Sequence, residues 1–188
     1  MMTTDRPQTY TAIARFFHWA TVAILVVSVP LGVGMVIRGS WLGIWDGLTN
    51  AMYSSHKLLG VMVFFVVAAR LAYRVVHGAP GPAPTVQPVQ RRISGAVHAS
   101  MYALLLMVPV AGWFGVQLYP ALDLFGVASL PAVVAPDKAA STWVLALHAA
   151  MAFTLVGLIT LHVGAALFHR FVRRDGVLQR MLPGAASE

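Results

Sequence analysis

The chain contains no cysteine. Disulfides, thiolate-bound metals and thioether-linked prosthetic groups are thereby excluded. Charge is scarce as well: Asp, Glu, Lys and Arg make up 10% of the residues, where soluble domains carry roughly a quarter. Acidic residues number six, and none lies inside a long apolar stretch; Asp46, Asp123 and Asp137 fall in the connections between them. A proton relay or ion carrier would be expected to place Asp or Glu among its membrane helices, so that class is disfavoured.

What the chain does have is apolar length. Of 188 residues 59% are apolar, and the mean hydropathy is +0.75. Four apolar stretches, about 16–37, 55–75, 96–118 and 143–168, each exceed the ~20 residues that cross a ~30 Å hydrocarbon core. The first is too long for a signal-peptide core and lacks a clear cleavage site, which makes it a retained helix. The expected fold is an all-α membrane protein, one domain over 1–188, built as a four-helix transmembrane up-down bundle. Basic residues segregate by connection. Arg6 and Arg15, then Arg70, Arg74, Arg91 and Arg92, then Arg170, Arg173, Arg174 and Arg180 lie on one side; Arg38, Lys57 and Lys138 lie on the other. The positive-inside rule places both termini in the cytoplasm, so the net charge of +7 reads as topology rather than as nucleic-acid binding.

The connections are short. Trp41 and Trp45 in the first outer connection suit an interfacial aromatic belt. The proline-rich run GAPGPAPTVQPVQRR reads as a semi-rigid cytoplasmic linker, with His77 just before it as a solvated loop residue. The second outer connection, about 119–142, is unusually apolar and is expected either to lie on the membrane or to cap the bundle. Pro109 is expected to kink helix 3, and no internal repeat is obvious.

Histidines are the unusual feature. His148 and His162 share helix 4 fourteen residues apart, which puts them on nearly one face and ~21 Å apart along the axis. Following helix direction, His56 and His148 lie near the outer face, while His18, His98 and His162 lie near the inner face. The same spacing links His18 to Gly32, His56 to Arg70 and His98 to Gly112. The outer tier therefore holds His56, His148, Gly32 and Gly112, and the inner tier holds His18, His162, His98 and Arg70. Two stacked, non-covalent haems, each between two histidines, would account for this pattern. Glycines would leave room for a flat group, and an inward arginine would fork onto a propionate. Plainer explanations exist for each residue alone: interhelical hydrogen bonding for one histidine, close packing for a glycine, snorkelling for Arg70 and Arg74. A zinc or copper site would want three or four converging ligands, whereas haem iron needs only two from the protein.

With these residues in view, the chain resembles the bacterial cytochrome b561 family of small di-haem membrane proteins. The likeness rests on FFHW in helix 1, SHKLLG and ARLAYR in helix 2, and HASMYALLLMVPVAGW in helix 3. It continues through LHAAMAFTLVGLITLHVGAALFHRF and the closing DGVLQRMLPG. The resemblance implies two haem b groups in a bacterial inner-membrane protein. His18 and His162 would ligate the cytoplasmic-side iron, His56 and His148 the periplasmic-side iron, and His98 would be a neighbour.

The family likeness further implies electron transfer between the periplasmic side and the quinone pool, with oxidation of superoxide and reduction of ubiquinone as one activity. Lys57 and Arg38, with Lys138, are candidates for attracting a small anion, or else for anchoring helix ends at headgroups. His98 and His169 are candidates for the quinone side, as proton donors. Two other roles are open: a haem-bearing electron-transfer subunit of a partner dehydrogenase or hydrogenase, and a haem-free transporter or assembly protein. Expected partners are lipid, quinone, and superoxide or a periplasmic electron donor, with no nucleic acid.

Overall fold

The structure is a computed structural model that describes residues 9–182. Arg6, one of the residues used to orient the chain, and Pro183 and Gly184, which end the closing motif, lie outside the described residues. Four long helices dominate: α1 (Ala12–Met35), α2 (Gly47–His77), α3 (Pro88–Leu118) and α4 (Lys138–Phe168). A π-helical turn (Val36–Trp41) extends α1, and another (His169–Arg173) extends α4. All four are long and apolar enough to cross a membrane.

Each helix opens several residues before its apolar stretch, because a polar side chain caps it there. Thr11 Oγ1 accepts from the Ala14 amide, Asp46 Oδ1 from Thr49 and Asp137 Oδ1 from Ala140. The Asp46 carboxyl is held below the usual aspartate range by the Thr49 backbone N–H and side chain, against the cost of desolvation, with Arg38 adding to the effect. Before α3, Gln90 Oε1 reaches back to the Gln87 amide and Pro88 takes the first helical position. The end of the proline-rich run is therefore already helix, and His77 is the last residue of α2 rather than a loop residue.

The closely packed seams are α1 against α2, α2 against α3, and α3 against α4. Among the described residues, α1–α4 and α2–α4 are not close-packed seams. The apolar core is a thin layer of Val63, Val67, Leu105 and Leu155, with Ile24 and Leu25 against it. Leu25, Val63, Leu105 and Leu155 each stand seven residues into a fourteen-residue pair, so the layer sits midway between the two histidine tiers. Most other large apolar side chains face outward, among them Val26, Phe65 and Phe153. In a soluble protein such a surface would aggregate; here it is the lipid-facing surface.

The second outer connection caps the bundle. Asp123–Leu124 (β1) pairs antiparallel with Ala128–Ser129 (β2), and the turn between them uses left-handed backbone at Phe125 and Gly126. Ser54 Oγ accepts the Phe125 amide, Gln117 Oε1 accepts the Val133 amide, and the Trp113 indole donates to the Pro131 carbonyl.

Candidate functional site

At the outer tier the His56 and His148 rings stand 6.2 Å apart, centre to centre, and nearly perpendicular. Each ring is seated on the neighbouring helix of its own hairpin. His56 Nδ1 meets the Ser28 carbonyl at 2.9 Å, with Ser28 Oγ at 3.3 Å; His148 Nδ1 meets the Val108 carbonyl at 2.8 Å. A nitrogen facing a carbonyl must carry the proton, which leaves Nε2 of both rings with its lone pair free for a metal. The carbonyl lies four residues before a glycine in both cases, Gly32 or Gly112. A Cβ on Gly32 would come within 2.8 Å of His56 Cε1, and one on Gly112 within 3.0 Å of His148 Cε1 and Nδ1. The sequence spacing found these glycines but assigned their space to a flat cofactor; the structure gives it to the imidazoles.

The two helix hairpins thus use one device twice, a repeat that was not obvious by eye. Ser28 and Val108 act through backbone carbonyls, which leave no mark in residue type. Pro30 and Pro109 lie close by, but the carbonyls they leave without an amide are those of Val26 and Leu105, so they do not mark the two seats.

At the inner tier His18 and His162 stand 6.4 Å apart, centre to centre. His98 lies 5.2 Å from His162. His18 Nδ1 is buried and is the one buried side-chain nitrogen or oxygen without a partner among the described residues. An orphan of that kind costs about 1–3 kcal/mol unless something binds it. Arg70 stacks its guanidinium over Tyr102 at 5.4 Å and lines a small cleft with Tyr10, Tyr73, Tyr102 and Met181. Among the described residues no carboxylate pairs with Arg70.

These residues fit a bis-imidazole iron. Imidazole nitrogen binds first-row metals at about 2.0 Å, so two axial rings on one ion keep their centres about 6 Å apart. The His56–His148 and His18–His162 spacings meet that requirement, and His98–His162 falls inside it. Both fitting pairs span helices, α2–α4 and α1–α4, that are not close-packed seams, so width is reserved between them. Among the described residues no group of three or more His, Asp or Glu converges as a closed zinc site would need.

The remaining candidates sit elsewhere. Arg38 pairs with Asp46 at 2.7 Å and donates to Thr49 Oγ1 at 3.1 Å. Lys57 donates its ammonium to the carbonyls of Ala121 (3.0 Å) and Asp123, tying α2 to the outer cap. Lys138 lies over the Tyr119 ring at 5.8 Å. The outer connections and helix ends carry Arg38, Lys57 and Lys138 against Asp46, Asp123 and Asp137, a formal sum of zero. His169 is not with His98; its Nδ1 donates to Asp175 Oδ2 at 2.6 Å beyond the end of α4.

Comparison with known proteins agrees with this geometry. The family described as prokaryotic cytochrome b561 matches residues 9–184. Cytochrome b561 homolog 2 of Escherichia coli (strain K12) is 30% identical over 189 residues, covering 100% of this chain and 98% of that protein. Cytochrome b561 homolog 1 of the same organism is 25% identical over 170 residues, 89% of this chain and 93% of its own. Cytochrome b562 of Cereibacter sphaeroides is 25% identical over 178 residues, 92% and 94% of the two chains. A match over nearly the whole length, four spanning helices and histidine pairs suited to iron lead to one conclusion: the chain belongs to the prokaryotic cytochrome b561 family, as a multi-pass inner-membrane haem protein of electron transfer.

Proposed function

We propose that this protein carries electrons between the periplasmic side and ubiquinone through two non-covalent b haems, with superoxide as the donor and both termini in the cytoplasm. His56 and His148 hold the outer haem iron, His18 and His162 the inner one, and His98 is a neighbour of the inner site. The observation that carries the reading is the outer pair: both Nδ1 atoms are committed to carbonyls, and the rings stand at the separation one iron requires. Held between two histidines, each haem would supply one-electron transfer rather than oxygen chemistry.

The residues of the chain do the rest. The carbonyls of Ser28 and Val108 fix the ligand tautomers and make Nε2 more basic. The layer of Val63, Leu105 and Leu155 excludes water between the tiers, which lie about 21 Å apart by helix rise. Arg70, inward and with no carboxylate paired to it among the described residues, is suited to a propionate. His98, with Nδ1 at 3.4 Å from Ser94 Oγ, is the candidate to hand a proton to reduced quinone, and His169 is the second.

A second reading, an electron-transfer subunit that docks a partner dehydrogenase or hydrogenase, is favoured by the outer face. Its charges sum to zero, and Arg38 and Lys57 are already engaged, so steering of a small anion is weak there. The haem-free transporter reading falls with the family assignment. The test is ubiquinone reduction by the purified chain in vesicles under a steady superoxide flux. Reduction is expected, is expected to vanish in His56→Ala, and is expected to weaken in Lys57→Gln. If wild-type protein reduces quinone only when a partner enzyme is added, the subunit reading replaces the superoxide one.

A further inference from the structure

The described part of the closing segment, residues 175–182, supplies none of the proposed ligands, yet many of the polar contacts at the cytoplasmic end belong to it. After the π-helical turn that follows α4, Arg174 and Gly176 adopt left-handed backbone (φ 51° and 77°), and the chain doubles back across the bundle end. Asp175 is the fastening. Its side chain is only 5% exposed; Oδ2 is 2.6 Å from His169 Nδ1, 3.4 Å from Arg173 Nε and 3.4 Å from Thr85 Oγ1. It is the sole carboxylate at this end among the described residues, since Asp46, Asp123 and Asp137 all lie at the other. Arg173 Nη2 also donates to the Thr85 carbonyl at 2.9 Å, and Arg180 Nη1 to the Gly81 carbonyl at 3.0 Å. The segment is thereby pinned to the connection between α2 and α3.

Its other end is pinned to α1. The Trp19 indole donates to the Met181 carbonyl at 2.9 Å, and the Tyr10 amide to the Arg180 carbonyl at 3.3 Å. Trp19 sits edge-on to the His18 ring, 5.1 Å centre to centre, and Met181 lines the cleft beside Arg70 and Tyr102. This matters because α1 and α4 carry the proposed inner ligands and do not pack closely on each other. With no cysteine available, nothing covalent keeps a haem between them. The segment is the continuation of α4 that bonds to the start of α1.

We propose that residues 175–182 are a retaining strap for the inner-tier cofactor: fastened at Asp175 and tied to α1 through Met181, they hold the two inner ligand helices together and close the cytoplasmic side of the space beside Arg70. This rests on the two-haem reading. A strap of this kind governs how fast the inner group escapes and leaves the outer group untouched.

The experiment uses two backgrounds, His56→Ala to keep the inner haem alone and His18→Ala to keep the outer haem alone. Asp175→Ala is added to each, and haem loss to an excess of a soluble apo-globin is followed by absorbance. Loss from the inner-only protein is expected to accelerate roughly tenfold or more, as befits removal of charge-assisted bonds, while loss from the outer-only protein stays unchanged. Trp19→Phe, which keeps the ring beside His18 but drops its donor to Met181, is expected to accelerate inner loss more mildly. Unchanged inner loss in Asp175→Ala would overturn the strap, and so would equal acceleration in both backgrounds, which would mark general loosening. An inner-only protein that purifies without haem would refute the two-haem reading itself, and the strap with it.

Discussion

Gly32→Ala is expected to strip the outer tier of its haem while the inner one stays. The new Cβ would lie 2.8 Å from His56 Cε1, closer than real contacts allow, and 3.1 Å from Nδ1, tighter than most. The ring has little freedom to retreat, since Nδ1 is bonded to Ser28 on the same helix as the glycine and, in the proposed ligation, Nε2 would be committed to iron. Moving it sacrifices one or the other. Loss of such a supporting contact costs about 10–100-fold in metal affinity, and a purified sample should show it as a haem-to-protein ratio falling from near two toward one. Gly112→Ala should act in the same direction on His148, more mildly, with its Cβ at 3.0 Å. Gly164→Ala is the control: the position is exposed and a Cβ there meets nothing within 4 Å, so both haems should remain. A Gly32→Ala protein with two haems of unchanged spectrum would show that the ring does not sit where His56 ligation needs it.

His18→Ala and His98→Ala should separate just as sharply. Both residues lie at the inner tier, one on α1 and the other on α3, and both face His162. Only the His18–His162 spacing of 6.4 Å leaves room for an iron between two bonded rings; the His98–His162 spacing of 5.2 Å is too short. Removing His18 is expected to cost the inner haem and its low-spin signal. Removing His98 should preserve two low-spin haems and alter the quinone-side kinetics instead. Low-temperature EPR of the oxidised proteins reads the difference directly, and inner low-spin signal lost in His98→Ala but kept in His18→Ala would exchange the two roles.

Much of this was legible from composition and spacing alone. Four apolar runs with every acidic residue outside them dictate a membrane bundle, and fourteen-residue spacing places His148 and His162 at two depths of one helix because helical geometry leaves no alternative. The axial starts of the helices were less legible, since a cap such as Asp46 or a first-turn proline such as Pro88 extends a helix into polar sequence that hydropathy counts as loop. By depth alone His18 and His98 are equivalent, because depth says nothing of the distance between helices. The seats of the outer imidazoles were hidden for a deeper reason: Ser28 and Val108 offer main-chain oxygens, and any residue type carries one. The partners of Lys57 were also out of reach, because they are main-chain carbonyls of Ala121 and Asp123 that depend on where the 119–142 connection folds back, and the pairing of Arg38 with Asp46 depends on how the shorter first connection turns.

Helix α4 offers the most direct measurement, because it carries one proposed ligand of each tier. The haem-to-protein ratio of the purified chain, taken from the reduced-minus-oxidised spectrum and an independent protein assay, should be near two, and near one in both His148→Ala and His162→Ala. The single haem left in each should differ in midpoint potential, since the outer tier and the inner tier have different surroundings. A wild-type ratio near one, or two haems persisting in either variant, would contradict the two-tier assignment.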